Sequence, residues 1–476
     1  MASEKTGKKS PSTKMSFTVF GLAISALLIG VIVLKYDLHI VLLFSMSIVC
    51  IAAKMLGYKF DDFVSFMKIP LGKSLSAMII FIFIGIIIAS WIYSGTVPTL
   101  IYYGLQYITP KFFLPLGLIL CSITSLSIGT SWGTIGTMGI AMMGIGAGMG
   151  VPAPVTAGMV ISGAFFGDKM SPMSDTTNLA PASAGTTLHK HINAMWFTTL
   201  PAYILTLLVF TIMGLTYKSG SIDHATIQLF SDTLKSNFVI TPIVLIPVIV
   251  LFALNILKFP AIPGMAIGSL LAVILAVTVQ GTPIAEVITG LNYGYVKATG
   301  IEIVDTLILR GGIQSMMYTF SLAFIAISFG GLLEHTGFLP KIISVITARV
   351  KSERLIAPLV ILCTTLATLS MGEVYLAIVV TGSLFRGEFK NRGLRPEMLS
   401  RLLEEGGTLT QVFIPWSTTG VFIAATLGVG VSGYWCYALL NLINPLLSIL
   451  LSLFGIGILR EKQINNVSVK EGKIDA

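Results

Sequence analysis

Long apolar runs with no charged side chain dominate this chain, and they decide what it can fold into. Met15–Leu34, Leu75–Tyr93, Met195–Tyr217, Phe238–Leu257, Ala261–Gln280 and Tyr434–Leu459 are the clearest. A helix needs about 20 consecutive apolar residues to cross a hydrocarbon core. Lipid offers the backbone no hydrogen-bond partners, so each run must satisfy its own N–H and C=O groups. With 54% hydrophobic and 11% charged residues, and a mean hydropathy of +0.90, the composition excludes a soluble globular class. The chain reads as an all-α polytopic membrane protein.

A net charge of +9 raises nucleic acid as a partner. The lysines and arginines cluster at the ends of apolar runs, which is the pattern left by cytoplasmic loops, so the partner is the bilayer and nucleic acid is not expected. Cys50, Cys121, Cys363 and Cys436 all fall in apolar runs and form no zinc or disulfide pattern. The Lys/Ser-rich start is followed by a full-length span and no small-residue cleavage site, which predicts an uncleaved first helix.

One stretch breaks the apolar rule. Gly163–Asn178 carries two carboxylates, a lysine, a proline and a run of hydroxyls deep inside an apolar context. Irregular polar backbone is tolerated at membrane depth only where it is buried in protein or lines a cavity, and ionisable groups there mark ion or proton paths. The stretch also recurs. Ser127-Ile-Gly-Thr130 matches Ser370-Met-Gly-Glu373 and Pro172-Met-Ser174 matches Pro415-Trp-Ser417, both at an offset of 243 residues. At that offset Pro115 meets Pro358, Gly139 meets Gly382, Gly163 meets Gly406 and Thr176 meets Thr419. An ordered series of Gly, Pro and Ser marks an internal repeat.

Charge orients the halves. Lys5, Lys8, Lys9 and Lys14 put residues 1–14 in the cytoplasm, as do Lys54, Lys59, Lys68 and Lys73 for the second turn. Residues 112–148 are too long for one span, are interrupted at Ser127–Gly133, and predict a re-entrant hairpin opening outward. Residues 153–190 predict a span broken at Asp168–Asn178 and ending inside at His189–His191. In the second half, residues 355–387 predict a hairpin opening inward, and 398–432 a span broken near Gln411–Thr419. Only Lys35, Lys111, Lys218, Lys235, Lys297 and Arg310 of the 30 basic residues then lie outside. The expected fold is two inverted repeats of five transmembrane helices plus one re-entrant hairpin each, with broken helices at the midplane. The repeats are 15–217 and 238–459, joined by an external linker at 218–237, and 460–476 is a cytoplasmic tail. Residues 282–311 predict an external amphipathic segment.

Each half therefore supplies a hairpin tip and a helix break. The tips offer Ser127, Thr130, Ser131 and Thr134 against Ser370 and Glu373. The breaks offer Asp168, Ser174, Asp175, Thr176, Thr177 and Asn178 against Thr410, Gln411, Ser417, Thr418 and Thr419. Freed carbonyls with hydroxyl, amide and carboxylate oxygens suit a hard cation such as Na+, while helix N-termini suit an anionic group. A buried carboxylate lets proton and Na+ compete for one group. The candidate Na+/H+ site is Ser127, Thr130, Asp168, Ser174, Asp175, Thr176, Asn178, Glu373, Ser417, Thr418 and Thr419, with Asp175 and Glu373 favoured.

Plainer roles compete. The spacings Gly129-x-x-x-Gly133 and Gly144-x-x-x-Gly148 also fit close helix packing. Trp132 and Trp416 fit packing better than a substrate platform, and Lys169 fits a structural role better than a ligand. Glu404 and Glu405 fit a cytoplasmic helix start, the histidines an interface, and Asp175 and Glu373 a structural buried pair.

Gly129-Thr-Ser-Trp-Gly-Thr134 followed by Gly167-Asp-Lys-Met-Ser-Pro-Met-Ser-Asp-Thr-Thr-Asn-Leu-Ala-Pro181 resembles the NhaC family of Na+/H+ antiporters, over essentially the whole chain. The resemblance implies a wider ion-transporter fold with inverted repeats, two hairpins, broken helices and a moving transport domain. In that wider group a Ser-Asn-Thr signature coordinates Na+; here the comparable positions read Ser174-Asp175-Thr176 and Ser417-Thr418-Thr419, without Asn. The implied activity is Na+/H+ exchange across the cytoplasmic membrane by an elevator motion, with both termini inside and no cofactor. The alternative is a Na+- or H+-coupled carrier of a small organic acid, of the malate/lactate exchange type, or of an amino acid. A homodimer is the assembly left open. A channel leaves two acidic breaks without purpose, and no nucleophile–base pair or metal-ligand set points to an enzyme.

Overall fold

The computed structural model describes residues 9–216, 224–257, 259–349 and 352–460. The tails at 1–8 and 461–476, part of the 218–237 linker, and the charge markers Lys5, Lys8 and Lys218 lie outside the described residues. Among the described residues the regular structure is helical, with one isolated bridge, Leu394 to Arg460, and no strand. Among the described residues seven helices are long and apolar enough to cross a membrane, or up to nine if each of two bent pairs counts as one span. The chain is thus a multi-pass membrane protein.

Two of the seven, Pro110–Ile128 and Glu353–Met371, are the leading arms of the expected hairpins, so each arm is as long as a span. The segment carrying Lys59, Lys68 and Lys73 is a helix, Phe60–Lys73, bent by 49° against the apolar Met78–Tyr93. The described part of the linker is also a helix, His224–Asn237. The segment at 282–311 folds as two short helices, Ile284–Tyr293 and Glu302–Ile308. Near them Arg310 reaches the carbonyls of Ala425 and Thr426, placing a cation on the last carbonyls of the Thr418–Leu427 helix.

Local geometry matches at positions 243 residues apart. Pro110–Ile128 ends at Gly129 and Ile356–Met371 ends at Gly372, both left-handed, with φ of 76° and 63°. A side chain there is strained in conformation, and a Cβ on Gly129 would sit 2.7 Å from Met173 Cβ. Each glycine is followed by a residue whose side chain caps the next helix, Thr130 in one half and Glu373 in the other. The breaks repeat too. Ser174 caps Asp175–Ala184 and Ser417 caps Thr418–Leu427, and these short helices end at the left-handed Gly185 and Gly428. Hairpin arms pack on broken spans by the same contact, since a Cβ on Gly163 would lie 2.6 Å from the Leu118 carbonyl and one on Gly406 2.6 Å from the Ile361 carbonyl. All these positions keep the 243-residue offset.

Gly144 and Gly148 do serve helix packing, lying against Ile101 and Leu105. Buried apolar residues form two clusters. Phe422 belongs to one of them, with Trp132 packed against it, while Val374 and Trp416 belong to the other. Residues of both clusters border the polar site.

Candidate functional site

The tips and the breaks meet. A cavity of about 280 Å³ is lined by Thr130, Ser131 and Trp132 from the first tip and by Glu373, Val374 and Tyr375 from the second. The first break adds Ser174, Asp175 and Thr176 to Asp168 from the helix before it, and the second contributes Gln411 and Thr419. Lys73, Ser74, Ser76 and Ile80 complete one wall. A neighbouring cavity of about 400 Å³ shares Gly129, Thr130, Trp132 and Asp175 and runs toward Leu251, Phe259 and Met265.

Three carboxylates face this space, each held differently. Asp168 is 7% exposed and accepts Ser131 Oγ at 2.7 Å, a bond from tip to broken span. Its backbone carbonyl accepts Thr177 Oγ1 at 3.1 Å, which pins the break against the end of Ala153–Met170. Asp175 stands at the first residue of a short helix and is the most open of the three; Tyr375 from the opposite half donates to it at 3.5 Å. Glu373 is 1% exposed and accepts the Tyr375 N–H at 3.4 Å, while its other oxygen has no partner. A buried acceptor left open in this way costs free energy unless something else meets it.

The halves are stitched by a second cross-contact. Trp132 Nε1 donates to Thr419 Oγ1 at 3.0 Å, and that hydroxyl donates to Gln411 Oε1 at 2.8 Å. Trp132 also stacks on Phe422 with centroids 4.7 Å apart, so it packs and lines the cavity at once. Trp416 is a packing residue, 2% exposed, with its N–H on the Leu369 carbonyl.

Seven of the expected residues line the cavity: Thr130, Asp168, Ser174, Asp175, Thr176, Glu373 and Thr419. Four do not. Ser127 turns back onto the Ile123 carbonyl at 2.8 Å, as a hydroxyl one turn down a helix does. Asn178 is spent bracing the break, donating to the carbonyls of Pro172 and Ser174. Ser417 caps its helix and donates to the Gln411 carbonyl at 2.7 Å, which braces the second break on itself, and the Thr418 N–H closes on the Gly372 carbonyl at 2.8 Å, which holds that break to its tip.

Two further expectations are corrected. Glu404 and Glu405 do not face solvent at a helix start; both are 0% exposed near the end of Pro396–Gly406. His191 is not interfacial but 0% exposed, with Ser400 Oγ against its Nδ1. Among the cavity residues not anticipated, Tyr375 and Lys73 carry titratable groups. Tyr375 lies two residues past Glu373, the one signal that could have marked it.

Among the described residues no group of three or more His, Cys, Asp or Glu is placed to hold a metal ion. What the cavity offers is hydroxyl, amide and carboxylate oxygen from four separate elements, a donor set for a hard, weakly held cation.

A profile of the Na+/H+ antiporter family matches residues 163–456. The chain belongs to the Na+/H+ antiporter family. The matched region of this family member contains both breaks and the second tip. Relatives align end to end. The Na+/H+ antiporter NhaC of Alkalihalophilus pseudofirmus is 34% identical over 460 residues, 96% of this chain and 99% of that protein. The malate-2H+/Na+-lactate antiporter of Bacillus subtilis is 35% identical, over 92% of this chain and 93% of its own. The arginine/ornithine antiporter ArcD of Halobacterium salinarum is 32% identical, over 94% and 93%.

Proposed function

We propose that this antiporter-family chain exchanges Na+ for H+ across the cytoplasmic membrane, with the cavity between tips and breaks as the exchange site. The observation that carries the reading is the convergence of Asp168, Asp175 and Glu373, from both halves, on one hydroxyl-lined space. Carboxylate oxygens there can be neutralised by a proton or by a sodium ion but not comfortably by both, which couples the two fluxes. On this reading the halves are inverted repeats, the hairpin arms are re-entrant, both termini lie inside, and an elevator motion carries the site between faces. Lys73 and Ser74 line the cavity beside the turn that positive charge assigns to the cytoplasm, which supports a site reached from that face.

Purified protein reconstituted in vesicles tests this. A sodium gradient should drive proton movement without any organic solute, and a sodium gradient that moves no protons would overturn it. A second reading has its own support. The cavity of about 280 Å³ is larger than a lone ion requires and carries Lys73 at its wall, which fits a small carboxylate. Sodium or proton flux that appears only when an organic acid or amino acid is supplied would favour that reading.

A further inference from the structure

The polar cavity does not end at its carboxylates. It shares Ile80, Gly129, Thr130, Trp132 and Asp175 with the neighbouring cavity of about 400 Å³. Past that shared wall the character changes. Met173, Leu251, Phe259 and Met265 line the second space, and Thr130 and Thr137 bring its hydroxyls. Among the described residues Asp175 is the one charged group in this lining. Leu251 and Met265 are 5% and 6% exposed, so protein closes over that wall.

A sodium ion has no use for such a chamber. Hard cations are held by oxygen ligands at close range, and apolar walls supply none. At about 400 Å³ the space also exceeds by more than an order of magnitude the roughly 10–15 Å³ that one water-sized sphere needs. Mostly apolar chambers of about 300–1,000 Å³ with a few placed polar groups are what small organic ligands occupy.

The groups at the joint select the head of that ligand. Asp175 faces both spaces and takes a long bond of 3.5 Å from Tyr375. Glu373 lines the first space at 1% exposure with one carboxyl oxygen unpartnered, a buried acceptor aimed where a donor would sit. Lys73 lines the first space and not the second. An organic acid with its body in the apolar chamber would set its carboxylate against Asp175. An ammonium meets opposite charge there, and it donates three N–H groups to a joint rich in oxygen acceptors.

We propose that the exchange site also takes a primary ammonium ion carrying an apolar body, with its head on Asp175 in the place of sodium and its body among Met173, Leu251, Phe259 and Met265. The inference rests on the exchange reading above. An ammonium carries the same single charge as sodium, so it displaces sodium from the carboxylates one for one. Burial of the body then adds affinity that a bare ion cannot gain.

Displacement of radioactive sodium from the detergent-purified full chain tests this at pH 7, where an alkylamine is protonated as lysine is. Hexylammonium is the probe, with methylammonium, hexanol and hexanoate beside it. The unaltered chain should bind sodium; no binding overturns the exchange reading itself, before any amine is added. Hexylammonium should compete with sodium on the order of 100-fold better than methylammonium, which has the head without the body. Hexanol and hexanoate should displace little. Equal competition by the two amines overturns the proposal and leaves sodium binding standing. So does hexanol matching hexylammonium, the mark of a pocket for lipid tails, or hexanoate proving the better competitor. Leu251→Trp fills the chamber from outside the polar cavity. It should leave sodium bound and cut the advantage of hexylammonium to about threefold or less, and an undiminished advantage overturns the proposal. Should that variant fail to fold, Ala261→Phe, at an exposed position of the same lining, is read for the same two outcomes.

Discussion

The two halves build the same geometry and fill it with different chemistry. In the first half the tip ends in a neutral cap, Thr130, and the break presents a carboxylate, Asp175. In the second half the carboxylate has moved to the cap, Glu373, and the break presents Thr418 and Thr419. The hydroxyls follow suit. Ser174 and Thr176 face the cavity, whereas the Ser417 hydroxyl turns onto backbone, Thr418 lies outside the lining, and only Thr419 remains in it. Left-handed glycines and serine caps set where backbone is freed, and side chains at two positions decide where charge is placed. The acids therefore approach the cavity from both halves.

The comparison can be broken at its charged ends first. Asp168→Asn or Asp175→Asn should lower sodium-driven proton flux in vesicles on the order of 100-fold, equivalent to about 2.7 kcal/mol, while leaving expression intact. Undiminished flux in either variant would remove that residue from the mechanism. Glu373→Thr, which gives both tips a hydroxyl cap, should cost on the order of 10-fold in the same assay and weaken the proton dependence of sodium transport. The backbone device can be tested next. Gly129→Ala and Gly372→Ala should each lower thermal stability by about 1–2 kcal/mol from left-handed backbone alone, with contacts to Met173 and Ala326 adding to it. Melting points unchanged in both would mean the tips tolerate another turn. Smaller again, Trp132→Phe keeps the stack on Phe422 but loses the bond to Thr419, for an expected loss of about 1 kcal/mol.

The smallest effect lies far from the site. Asp305, in the short helix Glu302–Ile308, accepts the Thr299 hydroxyl and N–H and the Gly300 N–H, which hold its carboxyl below the ordinary range. A depressed carboxylate adds stability above its unfolded pKa, and that contribution fades as pH falls through the folded value. Asp305→Asn should therefore lower stability slightly at neutral pH and hardly at all in acid, read by thermal unfolding at both.

Much of this was legible in the chain itself. Gly129, Gly372, Ser174 and Ser417 carry conformational instructions that hold wherever they occur, and their common offset survived into matching φ angles and caps. Which hydroxyl faces the cavity was not legible, because Ser417 and Ser174 occupy equal positions and differ only in what lies beside them. Tyr375 was hidden inside an apolar run, where an aromatic ring reads as packing. Glu404 and Glu405 were misplaced for a related reason. They follow Arg392, Arg395 and Arg401 in sequence, which resembles a cytoplasmic surface, yet Arg401 and Lys169 turn inward with them and bury the whole group.

Sodium binding to purified protein carrying Asp175→Asn or Glu373→Gln tests most directly whether one site is shared between the halves. The shared cavity predicts that each single variant, one from each half, weakens binding by at least about tenfold. Full binding in either variant would contradict it, and would leave the cation to one half alone.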